Sequence, residues 1–269
     1  MKKRIFITGS TDGIGKLAAI KLAKEGHEIY LHGRNQEKLS AVVSEIKTLS
    51  GNDNISGYLS DFSNLDVVRK MANQIKQEIP QIDVLINNAG IFTSSIAQNE
   101  KGMDIRMVVN YLAPVVLSNA LLPLLQKSDA ARIINLSSAA QAPIDYEVLN
   151  GNKPGSERAS YAQSKLALTM WSFYLAQSIP DITVIAVNPG SLLNTKMVQE
   201  AFGKYWSSAD KGANILYDLA IAEVHKNNSG KYYDNDQGSF GRAHQDAYND
   251  TKIKKLIETT QQILAASFA

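Results

Sequence analysis

Tyr161 and Lys165, in the stretch YAQSK, stand four residues apart, and a helix puts residues at that spacing on one face. A free tyrosine has a pKa of about 10 and is an unionised phenol at neutral pH. An ammonium beside it stabilises the phenolate and lowers that value. Such a phenol can act as a general acid toward a carbonyl oxygen and as a base toward an alcohol. Ser137 and Ser138 end the run RIINLSS, and a serine hydroxyl can hold the same oxygen and favour its developing negative charge. Tyr-x-x-x-Lys alone is common on helix surfaces, so the rest of the chain must decide.

The second group with chemistry is TGSTDGIG, residues 8–15, between a β-branched run and a helical pattern. Gly9, Gly13 and Gly15 permit a tight turn, close approach of the backbone to a pyrophosphate, and close helix–sheet packing. A helix N-terminus there offers free N–H donors and the positive end of a dipole to phosphates. The loop Gly9, Ser10, Thr11, Asp12, Gly13, Ile14 and Gly15 is therefore a candidate dinucleotide cradle. The next apolar run ends LHGRN, with Gly33 where NAD sites place an acid for the ribose hydroxyls, and then Arg34. A guanidinium forks onto a 2′-phosphate, and a missing carboxylate removes repulsion, so the reading is NADP(H) over NAD(H).

These groups need a sheet whose strand ends converge. Strands are expected at 4–8, 28–32, 55–60, 83–87, 132–136 and 183–187, with a weaker one at 231–234. Helical patterns are expected at 16–25, 36–49, 64–78, 103–127, 160–178 and 246–266. Gly26 and Gly51 sit where helices stop. Alternating strands and helices mean right-handed βαβ units and a Rossmann-type, doubly wound α/β fold. Its sheet is mostly parallel and seven-stranded, in a three-layer α/β/α arrangement that forms one domain over 1–269. With 44% hydrophobic residues, the 269-residue chain can bury a core without staples. It has no cysteine, and its four histidines show no metal spacing, so no metal site is expected. A net charge of +2 with both signs scattered leaves no footprint for nucleic acid. No leader and no membrane-spanning run are read, and the expected setting is cytoplasmic.

The glycine spacing TGxxxGxG resembles that of the short-chain dehydrogenase/reductase family. The match extends through NNAG (87–90), Asn110 in MVVNYLAP, Ser137–Ser138, YAQSK and NPG (188–190), six elements in one order. The resemblance implies catalysis by Asn110, Ser138, Tyr161 and Lys165, with Ser137 as the alternative serine. It also gives Lys165 the nicotinamide ribose, and Asn110 a water that links Lys165 to solvent. Asp61, beside Phe62, would bond the adenine, cap the next helix, or do both. Asn88, Ala89 and Gly90 would line the adenosine side, and Pro189 and Gly190 would cross the nicotinamide. Thr195 would hold the carboxamide, with Asn194 at the commoner spacing. Asp12 stands where some NADP-preferring relatives carry a second basic residue.

The gap from Ser138 to Tyr161 is longer than in the simplest relatives and similar to that of retinol dehydrogenases, carbonyl reductases and ketoreductases. Segments 141–160 and 191–212 are expected to border the substrate as a loop and a lid. In the C-terminal tail 231–269, the segment 231–250 is expected to complete the sheet edge and cover the pocket. The implied activity is the reversible interconversion of a largely apolar ketone or aldehyde with its alcohol, by hydride transfer from or to NADP(H). Alternatives are a dinucleotide-binding sensor or scaffold without turnover, and a sugar-nucleotide epimerase or dehydratase. Family analogy also suggests a homodimer or homotetramer built on helices 103–127 and 160–178.

Overall fold

The computed structural model of the chain describes residues 2–268. Its strands are β1 (Arg4–Ile7), β2 (Glu28–Gly33), β3 (Ile55–Leu59), β4 (Val84–Asn87), β5 (Arg132–Leu136), β6 (Thr183–Asn188), β7 (Lys231–Asp234) and β8 (Ser239–Gly241). They form one sheet in the order β3-β2-β1-β4-β5-β6-β7-β8. Every pair is parallel except β7 with β8, so the expected seven parallel strands gain an antiparallel edge. β8 escapes a sequence reading because it has only three residues, follows Gly238 (φ +68°), and lies in a segment rich in turn residues.

Side chains alternate across each strand and divide the core in two. Ile5, Ile7, Ile86, Ile134 and Ile185 pack against α1 (Gly13–Lys24), α2 (Gln36–Ser50) and α9 (Ala209–Ile221). Phe6, Leu85, Ile133 and Val184 pack on the other face with α3 (Leu65–Glu78), α5 (Ala113–Leu125), α7 (Glu157–Ser178) and α10 (Asp250–Ser267). The strands are buried on both faces, which is why they read as near-continuous apolar runs.

Three departures bear on the site. The run expected as one helix over 103–127 is a short α4 (Ile105–Met107), a π-helical turn over Val108–Leu112, and then α5. Together Ile105–Leu125 is long and apolar enough to cross a membrane, yet it is mostly buried inside the fold as a central core element. The expected loop at 141–160 contains α6 (Tyr146–Leu149), and the expected lid contains α8 (Lys196–Phe202) and the start of α9. Finally, α10 packs on α7, and Tyr111 hydrogen bonds Thr260 at 2.7 Å. A self-associating face on those two long helices would have to accommodate α10.

Candidate active site

The carboxyl ends of the parallel strands open on a cavity of about 790 Å³ that runs from Arg34 to Tyr161. It spans the gap between β1 and β4, where the strand order reverses and doubly wound sheets bind ligands.

The glycine loop is clamped to β4. Asn88 donates through Nδ2 to the carbonyls of Thr8 (2.8 Å) and Gly9 (2.9 Å), and the N–H groups of Asn88 and Ala89 both donate to Thr8 Oγ1 at 2.9 Å. A Cβ on Gly9 would lie 2.7 Å from Ala89 Cα, and one on Gly15 would run into the Asn88 amide. Both glycines are demanded by this contact. Gly9, Thr11, Asp12, Gly13 and Ile14 line the cavity, whereas Ser10 and Gly15 do not. Ser10 is buried and donates to the Ile7 carbonyl at 2.8 Å, so it shapes the turn. Asp12 N-caps α1 by accepting from the Gly13 N–H. Beyond that cap, the first-turn N–H groups have no intrahelical partner.

At the Arg34 end, Asp61 and Phe62 line the cavity. Asp61 accepts from Ser63 N–H at 2.9 Å, while the cap of α3 is Asn64. His32, which sequence reasoning missed, organises this end. It accepts the Gly9 N–H through Nδ1 at 3.0 Å, which leaves Nε2 to donate to the Ser60 carbonyl at 3.0 Å. Burial pushes its pKa down to about 4, and the ring stacks on Phe62 with centroids 4.2 Å apart. Ser60 Oγ is buried at the cavity wall and has no partner among the described residues. An unsatisfied hydroxyl, free amides at a helix end and glycines at the wall fit a polar, phosphate-bearing ligand.

At the other end stand the residues singled out for chemistry. Tyr161 and Lys165 line the cavity from α7, and Ala89 and Gly90 face them from the end of β4. Ser137 and Ser138 part company. Ser137 Oγ turns inward to Thr169 Oγ1 (2.7 Å) and the Lys165 carbonyl (3.1 Å). The Ser138 side chain lies beside the Tyr161 phenol and works to lower its pKa. The Ser138 carbonyl accepts from Tyr232 on β7 at 3.0 Å, a contact no local pattern announces. Asn110 sits in the π-helical turn, a deformation frequent at functional sites. It accepts the Ile91 N–H at 2.8 Å and donates to the Ile91 carbonyl and Ser164 Oγ, each at 3.0 Å. A Cβ on Gly90 would lie 3.4 Å from both Asn110 Oδ1 and Lys165 Nζ, so the amide and the ammonium flank one point.

The electrostatics differ from the simple expectation. Burial raises the Tyr161 pKa, and the Ser138 side chain beside it partly offsets this. The Lys165 ammonium, 5.6 Å from the phenol ring centroid, donates to the Leu136 carbonyl at 2.7 Å. Burial pushes Lys165 itself down to about 8 from 10.5. Between those values the unfolded chain holds a proton that the folded chain has released, so stability from this group rises with pH. Wild type is expected to gain up to about 3 kcal/mol of unfolding free energy on Lys165→Met over that window. A pH-independent difference between the two in denaturant titrations would contradict a desolvated Lys165.

Pro189, Gly190 and Thr195 line the cavity after β6, whereas Asn194 faces outward and accepts from Gln199 at 2.6 Å. Thr195 also N-caps α8. Leu193, Met197 and Val198 line the wall there, and Ile91, Phe92 and Ile96 line it from the segment after β4. The Phe92 ring lies 4.7 Å from that of Tyr161 and 5.1 Å from that of Phe202. Arg34 also lines the cavity, exposed and without an ion pair among the described residues.

The family described as short chain dehydrogenase matches residues 3–206. Retinol dehydrogenase 13 of Mus musculus is 33% identical over 251 residues, covering 86% of this chain and 75% of that protein. A crystal structure of a short chain dehydrogenase from Shigella flexneri 2a, complexed with NADP, superposes with a TM-score of 0.69 at 29% identity. It covers 87% of this chain and 97% of that one. One from Escherichia coli CFT073, complexed with NADPH, gives 0.72 at 28%, covering 87% and 96%.

Proposed function

This chain belongs to the short-chain dehydrogenase family, and on that premise we propose that it is an NADP(H)-dependent oxidoreductase interconverting a ketone or aldehyde with its alcohol. The observation that carries this reading is the meeting of Tyr161 and Lys165 at one end of a cavity whose other end holds Arg34 and the glycine loop, with the Ser138 side chain beside the phenol. The reduced dinucleotide supplies the hydride; the protein supplies orientation and the proton.

Each residue then has a role. The first turn of α1 holds the pyrophosphate with its free N–H groups. Ser60, Asp61 and Phe62 hold the adenosine, and Arg34 holds the 2′-phosphate. Pro189, Gly190 and Thr195 hold the carboxamide side, and Lys165 the nearby ribose. Tyr161 gives its phenolic proton to the carbonyl oxygen during reduction and takes it back during oxidation. Ser138 donates to the same oxygen as negative charge builds there. Asn110 fixes Ile91 and shares with Lys165 the space beside Gly90, where a water can pass protons to Lys165.

NADP(H) is favoured by Arg34, by the absence of an acid at Gly33, and by the similarity to the NADP- and NADPH-bound structures. The substrate is a mid-sized apolar carbonyl compound, because Ile91, Phe92, Ile96, Leu193, Met197 and Val198 leave an apolar wall around the phenol. The test mixes purified protein with NADPH or NADH and a panel of ketones and aldehydes, and follows loss of reduced-nicotinamide absorbance. NADPH is expected to give a kcat/KM roughly tenfold above that of NADH, about 1.4 kcal/mol. Faster use of NADH would contradict the role of Arg34. No turnover across the panel would favour a non-catalytic dinucleotide sensor.

A further inference from the structure

Ser138 lies beyond the end of β5, and Ala139 and Ala140 after it are exposed, so the strand itself does not hold its peptide in place. The Ser138 carbonyl is held from two other parts of the fold. Tyr232 on β7 donates its hydroxyl at 3.0 Å, and the Gln141 amide donates through Nε2 at 2.9 Å. Tyr232 is in register with Asn135 through Ala186 on the strand between them, and it is buried on the face of the sheet that carries α7. Burial raises its pKa, so the hydroxyl stays a donor through the neutral range. Gln141 Oε1 accepts the His244 N–H at 3.2 Å, from the tail ahead of α10. A carbonyl needs a donor and an N–H needs an acceptor, so these two partners also fix which way the amide faces. On the side chain of Ser138, Oγ accepts the Ala140 N–H at 3.1 Å, which leaves its O–H to donate toward the phenol.

Neither Gln141 nor Tyr232 lines the cavity, so neither reaches a substrate there. What they hold is the peptide from which the Ser138 side chain springs. A shift of about 1 Å in a group that acts on the substrate can cost about 10²-fold in rate. We propose that Tyr232 and Gln141 are positioning residues: together they clamp the Ser138 carbonyl and so aim the Ser138 hydroxyl at the oxygen that Tyr161 protonates. The clamp brings the last parallel strand into the reaction through Tyr232, and the tail through the His244 bond to Gln141. This assignment rests on the carbonyl–alcohol reading above, in which Ser138 acts on the substrate oxygen.

Because the two residues act through one hydroxyl, their effects must vanish when it is removed. Tyr232→Phe and Gln141→Met are each expected to lower kcat for the best carbonyl substrate roughly tenfold, with its KM and the NADPH Kd within about twofold of wild type. Ser138→Ala is expected to cost about 10²-fold in kcat. Adding either substitution to Ser138→Ala should then change kcat by less than about twofold, whereas a merely structural role would lower it again. A second readout needs neither nucleotide nor substrate. In protein isotope-labelled at the tyrosine Cζ, the magnetic resonance signal of Tyr161 is assigned by its loss in Tyr161→Phe. It is expected to shift in Ser138→Ala, and to move the same way in Tyr232→Phe and Gln141→Met. The proposal is overturned if the two single variants keep wild-type kcat, if their losses persist in the Ser138→Ala background, or if they leave the Tyr161 signal in place. A wild type that turns over no carbonyl compound, with the Tyr161 signal moving as expected, sinks the carbonyl–alcohol reading and leaves the clamp on Ser138 standing.

Discussion

Replacing Tyr161 with phenylalanine is expected to lower turnover of the best carbonyl substrate about 10³-fold while NADPH binding stays within about twofold of wild type. The substitution removes one oxygen and keeps the ring that packs 4.7 Å from Phe92, so the wall of the cavity is preserved. What disappears is the proton donor beside Ser138. Because burial raises the Tyr161 pKa, the phenol stays protonated through the neutral range in the protein alone, the form that reduction requires. Initial rates with saturating NADPH decide the matter. A variant that keeps more than about a tenth of wild-type turnover would remove Tyr161 from the chemistry, because a general acid contributes about 10²- to 10⁴-fold.

The parts of this molecule visible in its sequence are those with a local signal. The parallel strands announce themselves because burial on both faces demands unbroken apolar runs, as in RIINL, which is β5 residue for residue. The glycine loop and YAQSK are legible because their geometry is contained within one turn of chain. The choice between Ser137 and Ser138 had a signal in the period of two along β5, which sends Ser137 to the Asn135 side, against Thr169. His32, Ser60, Phe92 and Tyr232 had none. They matter through partners 22 to 94 residues away, and no pattern in a single sequence encodes such pairings. The π-helical turn at Asn110 was hidden for another reason. It changes the hydrogen-bond step by one residue without disturbing the apolar composition of 103–127. β8 and α8 lie in segments rich in turn-forming or polar residues, and tertiary contact defines them where propensity does not.

Arg106 belongs to the same illegible class, and Arg106→Met is expected to be among the most destabilising single substitutions in the chain. The guanidinium is only 2% exposed. Its Nε donates to the Phe92 carbonyl at 2.7 Å, and its terminal nitrogens pair with Glu157 and, at 3.9 Å, with Asp104. Asp104, itself 3% exposed, accepts from Ser160 Oγ at 2.8 Å. These contacts tie the segment carrying Phe92 to the first turn of α7, immediately before Tyr161. Methionine fills much of the same volume, so the loss is electrostatic. It leaves the Phe92 carbonyl without this donor and a buried carboxylate without its cation. Removing one partner of a buried pair costs about 3–5 kcal/mol. Since Asp104 keeps its Ser160 bond and the backbone N–H of Arg106, the lower end is expected. About 3 kcal/mol corresponds to a fall in melting temperature of roughly 6–12 °C at this chain size. Glu157→Gln, at a carboxylate that is half exposed, should cost no more than about 1 kcal/mol. Adding Asp104→Asn to Arg106→Met should recover part of the loss, because it removes the uncompensated charge. Chemical denaturation of the four proteins tests this ordering. If Arg106→Met unfolds no more easily than Glu157→Gln, or if Asp104→Asn only deepens its loss, the buried charge network does not hold the phenol's neighbourhood together.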